Sequence, residues 1–309
     1  MTANTRIIAI VGATGTGKTE LSLDVAQALA EQGVTAEIVN ADAMQLYVGM
    51  NIGTAKLPAT QRRGIPHHMF DVLDVTTEAA VADYQLHARH IIEEIHSRGN
   101  IAILVGGSGL YVSSVLFDFE FPGHDDQVRE DLESEYEREG IKPLFARLKE
   151  LAPEAAERID PQNSRRVIRA LEVLEVTGST ASLGTLPEET RYWKPTVIIG
   201  LAEDREVLVK RLDVRVERMW EEGLLDEVES LIPLGIEQGI TARRAIGYAQ
   251  ALAQLAGEMT QEEAIAVTQS ITRRYARRQV SWFKRYADIV WLPAGDPQNV
   301  REVLHRIRT

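Results

Sequence analysis

The sequence predicts an α/β fold: a parallel sheet flanked by helices, interrupted by a helical insertion. Three observations carry this prediction. Short apolar runs alternate with amphipathic segments through the first third of the chain, the pattern of a sheet covered on both faces. A glycine-rich loop separates the first apolar run from the first amphipathic segment. Over residues 118–190 the apolar runs stop, and charged segments of helical period follow one another.

The elements follow in order. Ile7-Ile8-Ala9-Ile10-Val11 reads as a buried strand over 6–11, and a helix is expected over 18–32, stopped by Gly33. Between them lies Gly12-Ala13-Thr14-Gly15-Thr16-Gly17-Lys18-Thr19. This is the G-x-x-x-x-G-K-[ST] phosphate loop in its required strand–loop–helix context. Its glycines let backbone N–H groups turn around an anion, and the helix N-terminus adds its positive dipole end. Lys18 is placed for phosphate oxygens and the Thr19 hydroxyl for Mg²⁺. The fold class is therefore that of P-loop NTPase-like proteins, and the expected ligand is a di- or triphosphate. The loop alone does not say whether the phosphate is transferred, hydrolysed or released.

Further strands are expected at 36–40, 67–73 and 101–105, with a helix at 79–98 stopped by Gly99. Gly106-Gly107-Ser108-Gly109 closes the fourth strand and opens a short helix. Helical segments at 125–139, 141–150, 152–158 and 162–177 make up the insertion, with loops at Pro122-Gly123 and 178–187. A buried strand returns at 196–201, followed by helices at 204–222, 224–232, 242–256 and 260–285, a strand at 289–292 and a last helix. The predicted core is thus 1–117 with 191–309, and the insertion domain is 118–190.

No apolar run approaches the length of a membrane span, and the N-terminus lacks the apolar core of a signal peptide. The expected location is cytoplasmic, away from membranes. The absence of cysteine rules out disulfides, cysteine nucleophiles and thiolate metal sites. The net charge of −12 argues against a polyanion partner, but its distribution argues for one. From Ala264 to Ala287 there is no acid, while Arg273, Arg274, Arg277 and Arg278 form one helical stripe. A second basic knot is Arg165, Arg166 and Arg169. A cationic stripe without interspersed acids reads as a phosphate-contact surface.

Ligands of open parallel sheets sit beyond the carboxyl ends of the strands. Asp42, just past the second strand, is therefore near the phosphate loop. It reads as a loop cap or an acid beside the metal, or alternatively as a general base kept ionised by a neighbouring Mg²⁺–diphosphate. Lys56, after the turn Asn51-Ile52-Gly53-Thr54-Ala55, reads as a phosphate contact or as part of a solvated loop. His67 and His68 are adjacent, so in a strand they point to opposite faces; structural roles are expected for both. Residues 101–105 run into glycines instead of an aspartate, so the Walker-B acid of an ATPase is missing.

Taken together, these segments closely resemble the bacterial tRNA isopentenyltransferases, the tRNA dimethylallyltransferase family. The resemblance runs from about Ile7 to Trp291. It rests on 12–19, on Asn40 to Tyr47, on Gly49 to Lys56, on Pro66-His67-His68 and on Val105 to Tyr111. It continues through Arg165 to Val173, Ala245-Ile246-Gly247-Tyr248 and Thr272 to Gln279. The resemblance implies transfer of a dimethylallyl group from dimethylallyl diphosphate to N6 of the tRNA adenosine next to the anticodon, with diphosphate leaving. It implies that Gly12 to Thr19 and Ser108 hold the diphosphate. Lys18, Thr19, Mg²⁺ and Arg215 then neutralise the leaving group, and Asp42 is the base. It places tRNA against Asp42, Ala43, Met44, Gln45 and Ser108, against Arg129, Arg165, Arg166 and Arg169 of the insertion, and against Gly247, Tyr248, Arg274 and Arg278. A monomer with no obligate protein partner is expected, with the insertion contacting the anticodon stem–loop.

The chain departs from the family's usual residues at Ala13, Ala43, Asn51, Arg165 and Ser108. Ser108 keeps the hydroxyl of the usual threonine, whereas Ala43 has no hydroxyl where the family often carries serine. Competing readings are an adenylate isopentenyltransferase acting on a free nucleotide, a P-loop small-molecule kinase and a non-catalytic RNA-binding protein. The first two leave the arginine stripe without a purpose, and the last leaves the phosphate loop and Asp42 without one.

Overall fold

The computed structural model describes residues 6–118, 121–180, 183 and 191–308. The chain divides into two units, Met1–Phe117 with Tyr192–Thr309, and Asp118–Arg191. The first is built on six strands: β1 Ile7–Gly12, β2 Ala36–Asn40, β3 His67–His68, β4 Ile101–Gly106, β5 Thr196–Ala202 and β6 Val290–Pro293. They run in the order β3-β2-β4-β1-β5-β6, and every pairing is parallel. β1 lies between β4 and β5, with Ile7 opposite both Ala102 and Thr196. Its unbroken apolar run suits that place, because both faces of a parallel sheet are covered; Ile7 to Val11 are wholly buried.

Helices α1 Lys18–Ala30, α2 Val81–Ser97 and α3 Gly109–Leu116 follow β1, β3 and β4. Leu21, Val25 and Leu29 of α1 recur on one face and pack with Ile8, Ile10, Ile38 and Ile103 of the strands. Each such side chain taken from water contributes about 1.5–3 kcal/mol. The parallel registry brings the carboxyl ends of β1, β2 and β4 to one edge, so the phosphate loop, Asp42 and Ser108 emerge together.

In the second unit α4 Asp126–Glu139, α5 Ile141–Leu151, α6 Pro153–Arg158 and α7 Ser164–Thr177 enclose a separate apolar core of Leu132, Leu144, Leu148, Val167 and Leu171. The helix starts are signalled by side chains. Asp125 accepts from Gln127 N and Val128 N, Asn163 accepts from Arg166 N, and Pro153 opens α6. The loop expected over 178–187 lies mostly outside the described residues.

The first unit is completed by α8 Arg205–Glu221, α9 Leu224–Leu231, α10 Tyr248–Leu255, α11 Gln261–Phe283 and α12 Asn299–Arg308. α11 starts in a capping box, Thr260 with Glu263.

Two expected elements are corrected. The strand expected at 67–73 is only two residues long, because Met69 and Asp71 adopt positive φ (62° and 55°) and turn the chain away. The helix expected over 242–256 begins only at Tyr248. Residues 242–244 form a single 3₁₀ turn, and Gly247 at φ +91° breaks the path.

Candidate active site

The phosphate loop starts where β1 ends. Gly17 caps α1 in the left-handed region (φ 85°), and no side chain caps that helix start. The first N–H groups of α1 are thus left to an anion. Lys18 Nζ donates to Ala13 O at 2.7 Å, and Thr16 Oγ1 donates to the same carbonyl at 2.8 Å. Burial lowers the Lys18 ammonium to about 8, with the Asp42 carboxylate opposing the shift. Thr19 is exposed on the first turn of the helix. α8 lays two arginines on the loop, four residues apart. Arg215 Nη1 donates to Thr14 Oγ1 at 3.0 Å, and Arg211 Nη1 donates to Gly15 O at 2.8 Å. Arg211 also pairs with Glu203 at 2.7 Å; sequence reasoning did not single it out.

Asp42 follows β2 and opens a 3₁₀ turn over Ala43–Leu46, where its Oδ1 accepts from Met44 N at 3.0 Å. Asn40 fixes the turn from behind. Its Oδ1 accepts from Asp42 N, and its amide donates to Asp42 O and Met69 O. Burial pushes the Asp42 carboxyl above its ordinary range, while the Met44 N–H and the Lys18 and Arg215 charges pull it back. Its charge also acts on Lys18 and Arg215 in return, so the carboxylate and both cations face one space. The cap is made through Oδ1 of Asp42.

Ser108 Oγ accepts from Ala43 N at 3.2 Å and lies 3.4 Å from the Tyr275 hydroxyl. Ala43, with no hydroxyl of its own, thus meets Ser108 through its backbone N–H. Met44 is half-buried, and Gln45 Nε2 donates to Thr54 O at 3.0 Å.

α11 runs past this site with two different faces. Tyr275 and Gln279, four residues apart, point inward. Burial and the Asp42 charge push the Tyr275 hydroxyl up to about 12, which keeps it a neutral donor. Arg274, Arg277 and Arg278 are exposed, and the Arg278 guanidinium lies 5.8 Å from the Tyr275 ring centre. Arg273 leaves the expected stripe, because α8 supplies an acid, Asp213, that holds it at 2.7 Å.

Two further residues singled out in the sequence are engaged inside the protein. Gly247 and Tyr248 are buried, and the Tyr248 hydroxyl donates to Glu227 at 2.5 Å. Burial and that carboxylate push the phenol far up, so the hydroxyl stays a neutral donor to Glu227. Lys56, read as a phosphate contact or as part of a solvated loop, is buried and donates to Asp71 and to Tyr47 O, both at 2.6 Å. Glu227, unforeseen, accepts from Asn51 N at 3.1 Å and Ile52 N at 2.8 Å, tying down the turn that ends at Lys56. Glu227→Ala is expected to free that turn, with tryptic cleavage at Lys56 several-fold faster than in the wild type as the check. His67 and His68 diverge as expected: His67 Nδ1 lies against Ile65 O, and His68 Nε2 against Glu37.

In the second unit Arg165 and Arg166 are exposed on α7. Arg129 and Arg169 instead turn toward the wholly buried Glu172, at 3.8 and 2.9 Å, with His124 Nδ1 at 2.6 Å from the same carboxylate. Arg169 also donates to Pro122 O at 2.8 Å. These partners lower the Glu172 carboxyl. Neither Glu172 nor His124 carried a sequence signal, since their pairing spans a loop and a helix.

The sequence pattern of the IPP transferase family matches residues 45–286. The chain belongs to the IPP transferase family. Members similar to it include the tRNA dimethylallyltransferase of Clavibacter sepedonicus, 59% identical over 97% of both chains. That of Leifsonia xyli subsp. xyli is 63% identical over 85% of this chain and all of the relative. Among solved IPP transferases, the full-length tRNA isopentenylpyrophosphate transferase of Bacillus halodurans superposes with a TM-score of 0.69 at 38% identity, covering 98% of this chain and 95% of the other. A eukaryotic dimethylallyltransferase acting on tRNA gives 0.80 at 30% identity, covering 98% and 77%. Among the described residues no helix is long and apolar enough to cross a membrane, and no three acids or histidines cluster to hold a metal ion.

Proposed function

We propose that this protein transfers a dimethylallyl group from dimethylallyl diphosphate to N6 of the tRNA adenosine next to the anticodon. The observation that carries the reading is the up-shifted Asp42 carboxyl facing Lys18 and Arg215 across a phosphate loop, in a chain whose β4 ends in Gly106 without an acid. A site for phosphoryl transfer would place a magnesium-binding acid there. A site for departure of diphosphate needs cations on the leaving group and a base opposite.

The phosphate loop and the start of α1 bind the diphosphate, and Lys18 and Arg215 neutralise the charge that develops as the allylic C–O bond breaks. The target adenine leaves the anticodon-loop stack to reach the site. Its N6 forms the new N–C bond, and Asp42 takes the N6 proton. Ser108 and Tyr275 hold the Asp42 turn through Ala43. The donor set suits Mg²⁺: a threonine hydroxyl beside diphosphate oxygens, all hard oxygen ligands. Thr19, on the first turn of α1 beside the diphosphate site, would hold the ion. When bound it supplies charge neutralisation on the diphosphate.

The arginines exposed on α11 and, separately, Arg165 and Arg166 on α7 provide tRNA phosphate contacts. A free nucleotide needs no such faces, which favours tRNA over an adenylate acceptor. Incubation with labelled dimethylallyl diphosphate and tRNA, AMP or ATP in turn tests this: label is expected on tRNA alone, and label on AMP or ATP overturns the reading. Replacing Arg274 and Arg278 together by Gln is expected to flatten the plot of log K against log salt for tRNA by roughly one unit or more. It should raise the KM for tRNA and leave that for dimethylallyl diphosphate unchanged. An unaltered salt slope removes α11 from the RNA footprint.

A further inference from the structure

Gln279 is nearly wholly buried, 4% exposed, on the inner face of α11. Both ends of its amide are used, and each reaches a different loop. Its Oε1 accepts from Thr14 N, in the phosphate loop, at 2.8 Å. Its Nε2 donates to Gly107 O, at the end of β4, at 2.9 Å. The fit leaves no slack: a Cβ on Gly107 would sit 2.2 Å from Nε2. One turn earlier on the same helix, Tyr275 reaches Ser108, and one turn later Trp282 lies against Gly109. The inner face of α11 thus follows the whole 107–109 segment, and Gln279 also hydrogen-bonds the phosphate loop, beside Ala276 packed with Ala13.

Chemistry explains why an amide stands here. The two groups it must meet are a donor and an acceptor. Only a side chain with both, on a short planar fork, satisfies them together. A carboxylate can accept from Thr14 N but cannot donate to Gly107 O, and it adds a negative charge beside a diphosphate site. A methionine fills the volume and satisfies neither. Leaving buried backbone groups unpaired is costly, so without the amide both loops lose their common reference.

We propose that Gln279 is a positioning residue that holds the phosphate loop in register with the Ser108 loop, so that diphosphate meets preorganised N–H groups. It does so from the helix whose neighbouring face carries Arg274 and Arg278. The proposal rests on the reading of residues 12–19 as the diphosphate site, and not on the identity of the acceptor.

The test uses the full-length protein with inorganic pyrophosphate and Mg²⁺ as the probe, read by calorimetry, and separately with tRNA and no pyrophosphate. Gln279→Met and Gln279→Glu are expected to weaken pyrophosphate binding by tenfold or more, Glu the more strongly, while tRNA affinity stays within twofold. The KM for dimethylallyl diphosphate should rise, with that for tRNA unchanged. Gly107→Ala, which pushes against the same amide, is the second route. It is expected to give the same selective loss, and the double variant Gly107→Ala/Gln279→Met is expected to lose no more than the larger single one. Overturning results are pyrophosphate binding within twofold of wild type in folded Gln279→Met, equal losses for pyrophosphate and tRNA that follow a fall in Tm, or additive losses in the double variant. If Gln279→Met does not fold, Gly107→Ala decides by the same selectivity. A protein that binds pyrophosphate but transfers nothing to tRNA would sink the functional proposal and leave this test intact.

Discussion

Asp42→Asn is expected to slow dimethylallyl transfer to tRNA by roughly two to four orders of magnitude under single-turnover conditions. Asparagine is the informative choice because its carbonyl still accepts from Met44 N, the bond Asp42 makes at 3.0 Å. The 3₁₀ turn that carries Met44 and Gln45 therefore survives, and only the proton acceptor is lost. Asp42→Ala removes both and separates the two roles by difference. Binding of pyrophosphate should hold or improve, since a negative charge leaves the neighbourhood of Lys18. The pH profile gives an independent reading. Burial raises the Asp42 carboxyl, so the wild-type rate is expected to fall with acid at a higher pH than an ordinary carboxylate would give, and that limb should vanish in Asp42→Asn. A rate within a few-fold of wild type would make Asp42 a cap and nothing more.

How far the sequence could be read depended on the range of the interactions involved. β1, the phosphate loop and α1 are consecutive, so their pattern contains its own confirmation: an apolar run, glycines, then a lysine and threonine at a helix start. Asp42 and Ser108 were legible because a parallel sheet places strand ends on one edge. What was not legible depends on pairs distant in sequence. Nothing within 273–278 announces that Asp213 withdraws Arg273 from the stripe. Nothing around Lys56 shows that Asp71, at positive φ, waits to bury it. Tyr248 is placed against tRNA by the family resemblance alone, and nothing near it in sequence shows that its hydroxyl serves Glu227. Gln279 stood in plain view at the end of the arginine run. Its signal was an amide at i+4 from Tyr275 on a helix otherwise read for charge. Of the predicted site, the diphosphate half was written locally; the assignment of individual arginines was not.

The second large effect concerns Lys18. Lys18→Ala is expected to reduce kcat/KM for dimethylallyl diphosphate by roughly two to three orders of magnitude, the loss typical when one preorganised donor to a developing anion is removed. tRNA affinity should hold, because α11 is untouched. The wild-type pH dependence follows from the same residue. In the free protein burial lowers the ammonium to about 8. Lys18 is therefore charged below that pH and neutral above it, and kcat/KM is expected to fall as pH rises through about 8. Bound diphosphate favours the charged form, so the corresponding limb in kcat should lie at higher pH. Lys18→Ala should have no such alkaline limb in either parameter. Thr19→Ala separates the ammonium from the ion: it should retain the alkaline limb while requiring more Mg²⁺ to reach half its maximal rate. An alkaline limb that persists in Lys18→Ala would assign it to another group and remove Lys18 from the diphosphate. A normal Mg²⁺ requirement in Thr19→Ala would take the hydroxyl out of the metal's shell and leave Lys18 as the main fixed charge of this chain on the leaving group, together with Arg215.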